Sequence, residues 1–96
     1  MFNLNITALK QAYTKNDITP SELILALREQ ALSQQDHNVW ITLLDEAKLN
    51  EYLAYLDGKN PDDLPLYGVP FAIKDNIDLA GVPTTAACPD FAYTPT

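Results

Sequence analysis

Apolar residues fall at helical spacing through the first half of the chain and lose that spacing in the second. Ile6, Leu9 and Tyr13, with Ala12 beside them, recur three and four residues apart, which places them on one face of a short helix. Asn3 or Asn5 can cap it. Thr19-Pro20-Ser21-Glu22 is the best local start signal in the chain. Thr19 suits the N-cap, Pro20 the first helical position, and Glu22 can reach back to the Thr19 N–H as a capping box. The helix beginning at Pro20 carries Leu23, Ile24, Leu27 and Ala31 as a stripe, leaves Glu22, Arg28, Glu29 and Gln30 for water, and stops around Ser33-Gln34-Gln35-Asp36. Val39-Trp40-Ile41-Thr42-Leu43 is short, β-branched and aromatic between polar neighbours, which predicts a strand, although an apolar run of this length also suits a buried helical turn. Asp45 can cap a third helix with Leu49, Tyr52, Leu53 and Leu56 on one face, and Gly58 can close it.

Six of the seven prolines and all three glycines lie from residue 58 onward, so the pattern changes there. Residues 1–58 read as mainly helical and residues 65–96 as strand and turn, with Asn60-Pro61-Asp62-Asp63 as a loop. If residues 69–74 are extended, Val69, Phe71 and Ile73 share one face and Pro70, Ala72 and Lys74 the other. Leu79-Ala80-Gly81 reads as a turn with Gly81 at positive φ. The fold class predicted from these elements is α/β.

A chain of 96 residues, 47% hydrophobic and 20% charged, has room for one small domain. A domain of this size buries only about 60 to 65% of the surface its unfolded chain exposes, so marginal stability is expected. No apolar run exceeds five residues, against the ~20 a membrane-spanning helix needs. The net charge of -7 is the wrong sign for tracking a phosphate backbone or an anionic lipid surface, which argues against nucleic acid and membranes as partners. Cys88 is the one cysteine and His37 the one histidine, so neither an internal disulfide nor a structural zinc site is expected. Met1-Phe2-Asn3-Leu4 lacks the basic start of a secretory leader, and a cytoplasmic location is expected.

Lys74 is the residue with chemical potential. It ends an otherwise uncharged run, where desolvation of the ammonium would lower its pKa and make the neutral amine available as a general base. The competing reading is a strand-end lysine that snorkels into water. Thr84 and Thr85 carry hydroxyls that can hydrogen-bond near Lys74, but threonines on turns cap backbone groups and no nucleophilic role is assigned to them. Asp75 and Asn76 are read as partners for backbone groups. Asp75, Asn76 and Asp78 lack the alternating spacing and closing glutamate of a calcium loop, and no metal is assigned. His37 reads as a surface residue, Cys88 as packing, and Trp40 with the leucine stripes as core.

Gly68-Val69-Pro70-Phe71-Ala72-Ile73-Lys74-Asp75, followed by Gly81-Val82-Pro83-Thr84-Thr85, resembles the lysine-containing segment of the amidase signature family. The continuation Ala86-Ala87-Cys88-Pro89, with Phe91-Ala92-Tyr93-Thr94-Pro95, looks most like the allophanate-hydrolysing members of that family, as do the Thr19-Pro20 helix start and Val39-Trp40-Ile41-Thr42. The resemblance implies that residues 1–96 are the N-terminal part of a single amidase domain, with three helices and the first strands of a mixed sheet. It implies a small amide, allophanate, as substrate, cleaved to ammonia and carbon dioxide in urea breakdown without metal or organic cofactor. It also implies that Lys74 is the base of a Ser, cis-Ser, Lys triad. The family's two serines belong to a Gly-Ser-rich segment downstream of the lysine, and residues 1–96 contain none. Ser21 and Ser33, in a capping box and at a helix end, do not replace them. The expectations are therefore that the serines lie beyond Thr96, that the 96-residue chain alone is inactive, and that it self-associates or docks on the rest of the amidase fold. No residue is assigned to substrate contact. Two other readings stay open: a different member of the family, such as a glutamyl-tRNA amidotransferase component or a general amidase, and a short non-catalytic binding or regulatory module.

Overall fold

A computed structural model describes residues 3–96; Met1 and Phe2, part of the stretch read above for a leader, lie outside it. Three α-helices, α1 (Ile6–Thr14), α2 (Pro20–Ser33) and α3 (Glu46–Tyr55), are followed by loops and turns, with single 3₁₀ turns at Gln35–His37 and Pro89–Phe91. Among the described residues no helix is long and apolar enough to cross a membrane.

Each helix starts at a side chain that accepts its otherwise unpaired N–H groups. Asn5, not Asn3, caps α1, accepting from the N–H of Thr7 at 2.9 Å and of Ala8 at 3.3 Å. Thr19 caps α2 through the Glu22 N–H at 3.2 Å. The Glu22 carboxylate closes this box on the Thr19 hydroxyl, 3.1 Å away, rather than on the expected Thr19 N–H. Asp45 caps α3, accepting from the Lys48 N–H at 2.7 Å.

The ends obey local chemistry too. Asn16 takes the left-handed conformation at φ 59°, while Asn16 N–H bonds Tyr13 C=O at 3.1 Å and Asp17 N–H bonds Ala12 C=O at 2.9 Å. This is a Schellman closure with asparagine where glycine is commonest. Leu56, not the expected Gly58, caps α3; Gly58 takes φ 77° in the turn two residues on, and its missing side chain would meet nothing within 4 Å, so only the backbone conformation requires glycine there.

Leu9, Tyr13 and Leu23 form the core, with Ile18, Leu27 and Tyr67 packed around them. Ile6, expected on the same face, is 50% exposed because the cluster gathers at the C-terminal half of α1. α3 buries Leu53 and packs on α2, and Arg28 Nε holds the segment leading into α3 by donating to Leu44 C=O at 2.8 Å. Tyr52, expected on the buried face of α3, is exposed, with the Lys48 amine 5.7 Å above its ring.

A part-buried contact joins α1 to the second half of the chain. The Tyr13 hydroxyl donates to Gly68 C=O at 2.6 Å, and the Tyr13 ring meets Tyr67 edge-on at 5.4 Å. Gly68 sits at φ 65°, and a Cβ there would fall 2.7 Å from the Tyr13 ring. Glycine is thus required twice over, by conformation and by contact.

The α/β expectation is corrected in its strands. Neither 39–43 nor 69–74 forms a strand, and the described residues contain only two isolated antiparallel bridges, Leu79–Val82 and Thr84–Tyr93. A strand exists only through a neighbour that takes its N–H and C=O groups, and no such neighbour pairs with these segments. Their apolar side chains stay in water: Val39 is 65% exposed, Ile41 59% and Phe71 81%. Trp40, expected in the core, is 43% exposed. The molecule is correspondingly open. Its radius of gyration is 14.8 Å, against about 12.5 Å for a compact domain of this length.

Two outcomes are expected in urea denaturation. Gly58→Ala costs about 1 kcal/mol, whereas Gly68→Ala costs about 2 to 4 kcal/mol because steric overlap adds to strain. Equal costs would remove the Tyr13 contact from the account. Burial, and then the neighbouring Tyr67, push the Tyr13 hydroxyl up from 10.0 to about 12. The folded state thus favours the neutral phenol: this contribution is complete below pH 10 and is lost as pH rises through 12. Tyr13→Phe should flatten that alkaline loss while costing about 1 to 2 kcal/mol at neutral pH.

Candidate active site

The second half of the chain is organised around two aspartates and two consecutive threonines. From Gly68 the chain runs to Lys74 without a backbone–backbone hydrogen bond at residues 70–73. It then turns, with Ile77 N–H donating to Lys74 C=O at 3.0 Å. Asp75 faces Thr85: one carboxylate oxygen accepts the Thr85 N–H at 3.0 Å and the other accepts the Thr85 hydroxyl. Asp75 C=O accepts the Ala86 N–H at 2.9 Å. Three residues on, Asp78 accepts the Thr84 hydroxyl at 3.0 Å and the Tyr93 hydroxyl at 2.5 Å.

The two threonines thus bind different carboxylates, and these contacts close the loop between them. Thr84 is the one buried polar side chain among the described residues, and its N–H and C=O pair with Tyr93 at 2.8 and 3.1 Å. Gly81, at φ 78° in the expected turn, donates its N–H to Pro95 C=O at 2.8 Å. Lys48 of α3 packs within 3.3 Å of where a Cβ on Gly81 would stand, so the third helix touches this loop. Ala86 at φ 49° and Ala87 at φ 61° are both left-handed, a conformation costing about 1 to 2 kcal/mol in a non-glycine residue. They are held there by the Asp75 C=O, by the Thr85 hydroxyl accepting the Ala87 N–H at 3.1 Å, and by the Cys88 N–H bonding Thr85 C=O at 2.8 Å.

The same contacts set the titration of the site. The Thr85 hydroxyl, then the Thr85 N–H, hold the Asp75 carboxyl below the usual carboxylate range, with the Ala87 N–H helping and desolvation opposing. The Asp78 carboxylate, first as hydrogen-bond acceptor, raises the Tyr93 hydroxyl. Tyr93 also meets Phe91 edge-on at 5.7 Å.

Lys74 is exposed and stands beside an open groove of about 410 Å³. Val39, Trp40, Ile41 and Thr42 line it from one segment; Ala72, Ile73, Lys74, Asp75, Ile77, Leu79, Val82 and Pro83 line it from the other. The two runs read as strands in the sequence therefore face each other across a largely apolar opening, with the Lys74–Asp75 pair contributing its charges. Lys74 makes no ion pair among the described residues, and the apolar cover expected over its amine is not supplied by them. Asp75 satisfies backbone groups, as the sequence predicts, and Thr85 caps the Ala87 N–H.

Other candidates lie elsewhere. Ser33 donates its hydroxyl to Gln30 C=O at 2.7 Å, Ser21 is exposed in the first turn of α2, and neither lines the groove. His37 is exposed in its 3₁₀ turn. Cys88, expected in packing, is exposed, as are its neighbours at 86–91, so the turn has no packed face to receive it. The described residues contain no group of three or more His, Cys, Asp or Glu that could hold a metal ion. Sequence reasoning misses the carboxylate–hydroxyl pairs. Their signal is the Lys-Asp-x-x-Asp run followed by adjacent threonines, whose alternation lets one residue serve each aspartate.

Comparison with known proteins places this arrangement. The chain is 48% identical over 80 residues to the urea amidolyase of Saccharomyces cerevisiae, which covers 78% of this chain and 4% of that protein. It is 49% identical over 73 residues to the urea amidolyase of Lachancea kluyveri, again 4% of that protein's length. It is 43% identical over 89 residues to a glutamyl-tRNA(Gln) amidotransferase subunit from Oenococcus oeni, covering 90% of this chain and 18% of that one. No solved structure matches. The chain therefore spans a small part of the relatives it resembles. The family described as Amidase matches residues 22–96, from the first turn of α2 through Lys74 and both threonines, and the chain belongs to that family.

Proposed function

We propose that residues 1–96 are the N-terminal part of a single amidase domain, and that the whole domain hydrolyses allophanate to ammonia and carbon dioxide in urea breakdown. The observation that carries this reading is the identity of 48% and 49% to two urea amidolyases. Lys74 is the general base. It takes a proton, through a serine held by a cis peptide bond, from a second serine whose oxygen bonds the amide carbonyl carbon. Backbone N–H groups hold the oxyanion while the C–N bond breaks, the nitrogen takes the proton back from Lys74 and leaves as ammonia, and water then releases the acyl group as an N-carboxycarbamate, which loses two carbon dioxides to give the second ammonia. Neither metal nor organic cofactor takes part in these steps.

The geometry supports this assignment of roles. Lys74 opens onto the groove, and neither Ser21 nor Ser33 shares it, so the two hydroxyls come from polypeptide outside residues 1–96. That polypeptide also covers Val39, Ile41 and Phe71 and takes the Lys74 amine out of water, which favours the neutral base. Without it, the apolar faces and unpaired backbone favour self-association of the isolated chain. A second reading, an amidotransferase component that acts on glutamine, is favoured by the 43% identity that extends over 90% of the chain.

Ammonia release by the product of the complete gene, measured on allophanate, malonamide and glutamine, separates these readings. Turnover on allophanate is expected, and turnover on glutamine alone would favour the amidotransferase. In that protein Lys74→Ala should lower kcat about 10² to 10⁴-fold, the contribution of a positioned base. Full turnover with methionine at residue 74 would remove Lys74 from the mechanism. The 96-residue chain alone should release no ammonia, and release abolished by Lys74→Ala would overturn the need for outside serines.

A further inference from the structure

We propose that Asp75 and Thr85 form a clamp that positions Lys74, a role resting on the reading of Lys74 as the base. Lys74 follows four residues, 70–73, that make no backbone–backbone hydrogen bond, so nothing on its N-terminal side fixes its height or direction. The fixed point lies immediately after it. Asp75 makes three hydrogen bonds to two successive residues: its carboxylate takes both the N–H and the hydroxyl of Thr85, and its C=O takes the Ala86 N–H at 2.9 Å. Thr85 is itself oriented, because the same hydroxyl oxygen accepts the Ala87 N–H at 3.1 Å. The chain of contacts runs from the Ala87 N–H through the Thr85 hydroxyl to the Asp75 carboxylate, one residue from the amine-bearing side chain.

The clamp has a second consequence. A carboxylate next to a lysine can fold back as its ion-pair partner and hold the ammonium charged. Here the Asp75 carboxylate is engaged by Thr85, and Lys74 makes no ion pair among the described residues. The carboxylate thus fixes the backbone and leaves the amine free for a hydroxyl partner. The other carboxylate set, Asp78 with Thr84 and Tyr93, closes the loop three residues further on and shares no side-chain hydrogen bond with Asp75 or Thr85. It separates positioning from loop stability.

In the complete enzyme, Thr85→Val should lower kcat about 10- to 100-fold, the effect of a small misplacement of a reacting group, while KM changes little. Thr85→Ser, which restores the hydroxyl, should recover most of the loss. Thr84→Val should instead lower the thermal transition, with kcat of the folded fraction nearly unchanged. Wild-type kcat in Thr85→Val, in a protein where Lys74→Ala is dead, would overturn the clamp and leave the base assignment standing. Activity retained in Lys74→Ala would overturn the base assignment by itself. Amide hydrogen exchange in the complete enzyme tests the clamp without catalysis. Asp75→Ala should strip protection from the Thr85 amide, whose acceptor is the carboxylate, and spare those of Thr84 and Tyr93. Unchanged protection at Thr85 would overturn it.

Discussion

The Tyr13 hydroxyl and the Gly68 carbonyl are 55 residues apart in sequence and 2.6 Å apart in space, and α1 meets the second half of the chain through them. Much of the core stands behind that bond: Leu9 and Leu23 wall in the tyrosine, and Tyr67 covers its ring from the far side. A buried phenol with no acceptor would carry a desolvation cost of about 1 to 3 kcal/mol, which the Gly68 carbonyl offsets. The glycine lets it be there, since any side chain would occupy the space of the ring. From this anchor the chain enters the segment that carries Lys74. α1 thus sets where residue 68 begins, and α3 touches the loop directly through Lys48 at Gly81.

Beyond the anchor, burial is scarce, and this shapes what the rest of the molecule can do. Among the described residues Leu9, Tyr13, Leu23 and Leu53 are the buried hydrophobic ones, while Trp40, Phe71, Ile73 and Ile77 remain substantially exposed. Exposed apolar residues are ordinary when scattered. Here Val39, Trp40 and Ile41 in one run and Ile73 and Ile77 in the other line the same groove, so part of the exposed apolar surface is concentrated in one place.

Legibility in the sequence follows the range of the interaction. Asn5, Thr19 and Asp45 are readable as caps because each acts on N–H groups two or three residues away. Gly58 and Gly81 are readable because positive φ is a property of one residue. The strands expected at 39–43 and 69–74 fail for the opposite reason: alternation reports which side chains could share a face, while the ladder depends on a partner that the pattern does not name. Lys74 is legible as a residue of interest, but its surroundings are not, because an apolar flank in sequence becomes an apolar environment only when something covers it. The Tyr13–Gly68 bond, across 55 residues, has no local signal at all.

The carboxylate pairs show how a loop with little burial can still be well defined. Adjacent threonines cannot both face one way in an extended segment, so a pair of them is suited to two acceptors on opposite sides. Asp75 and Asp78, three residues apart, supply those acceptors, and each also collects a further donor: the Thr85 N–H at Asp75 and the Tyr93 hydroxyl at Asp78. Charged acceptors make hydrogen bonds stronger than neutral ones, which compensates for the missing apolar contacts. The left-handed alanines at 86 and 87 fit this account, since their strain persists only where surrounding bonds over-determine the backbone. The backbone beside Lys74 is thus ordered by polar chemistry, while the largely apolar groove that Lys74 lines stays open among the described residues.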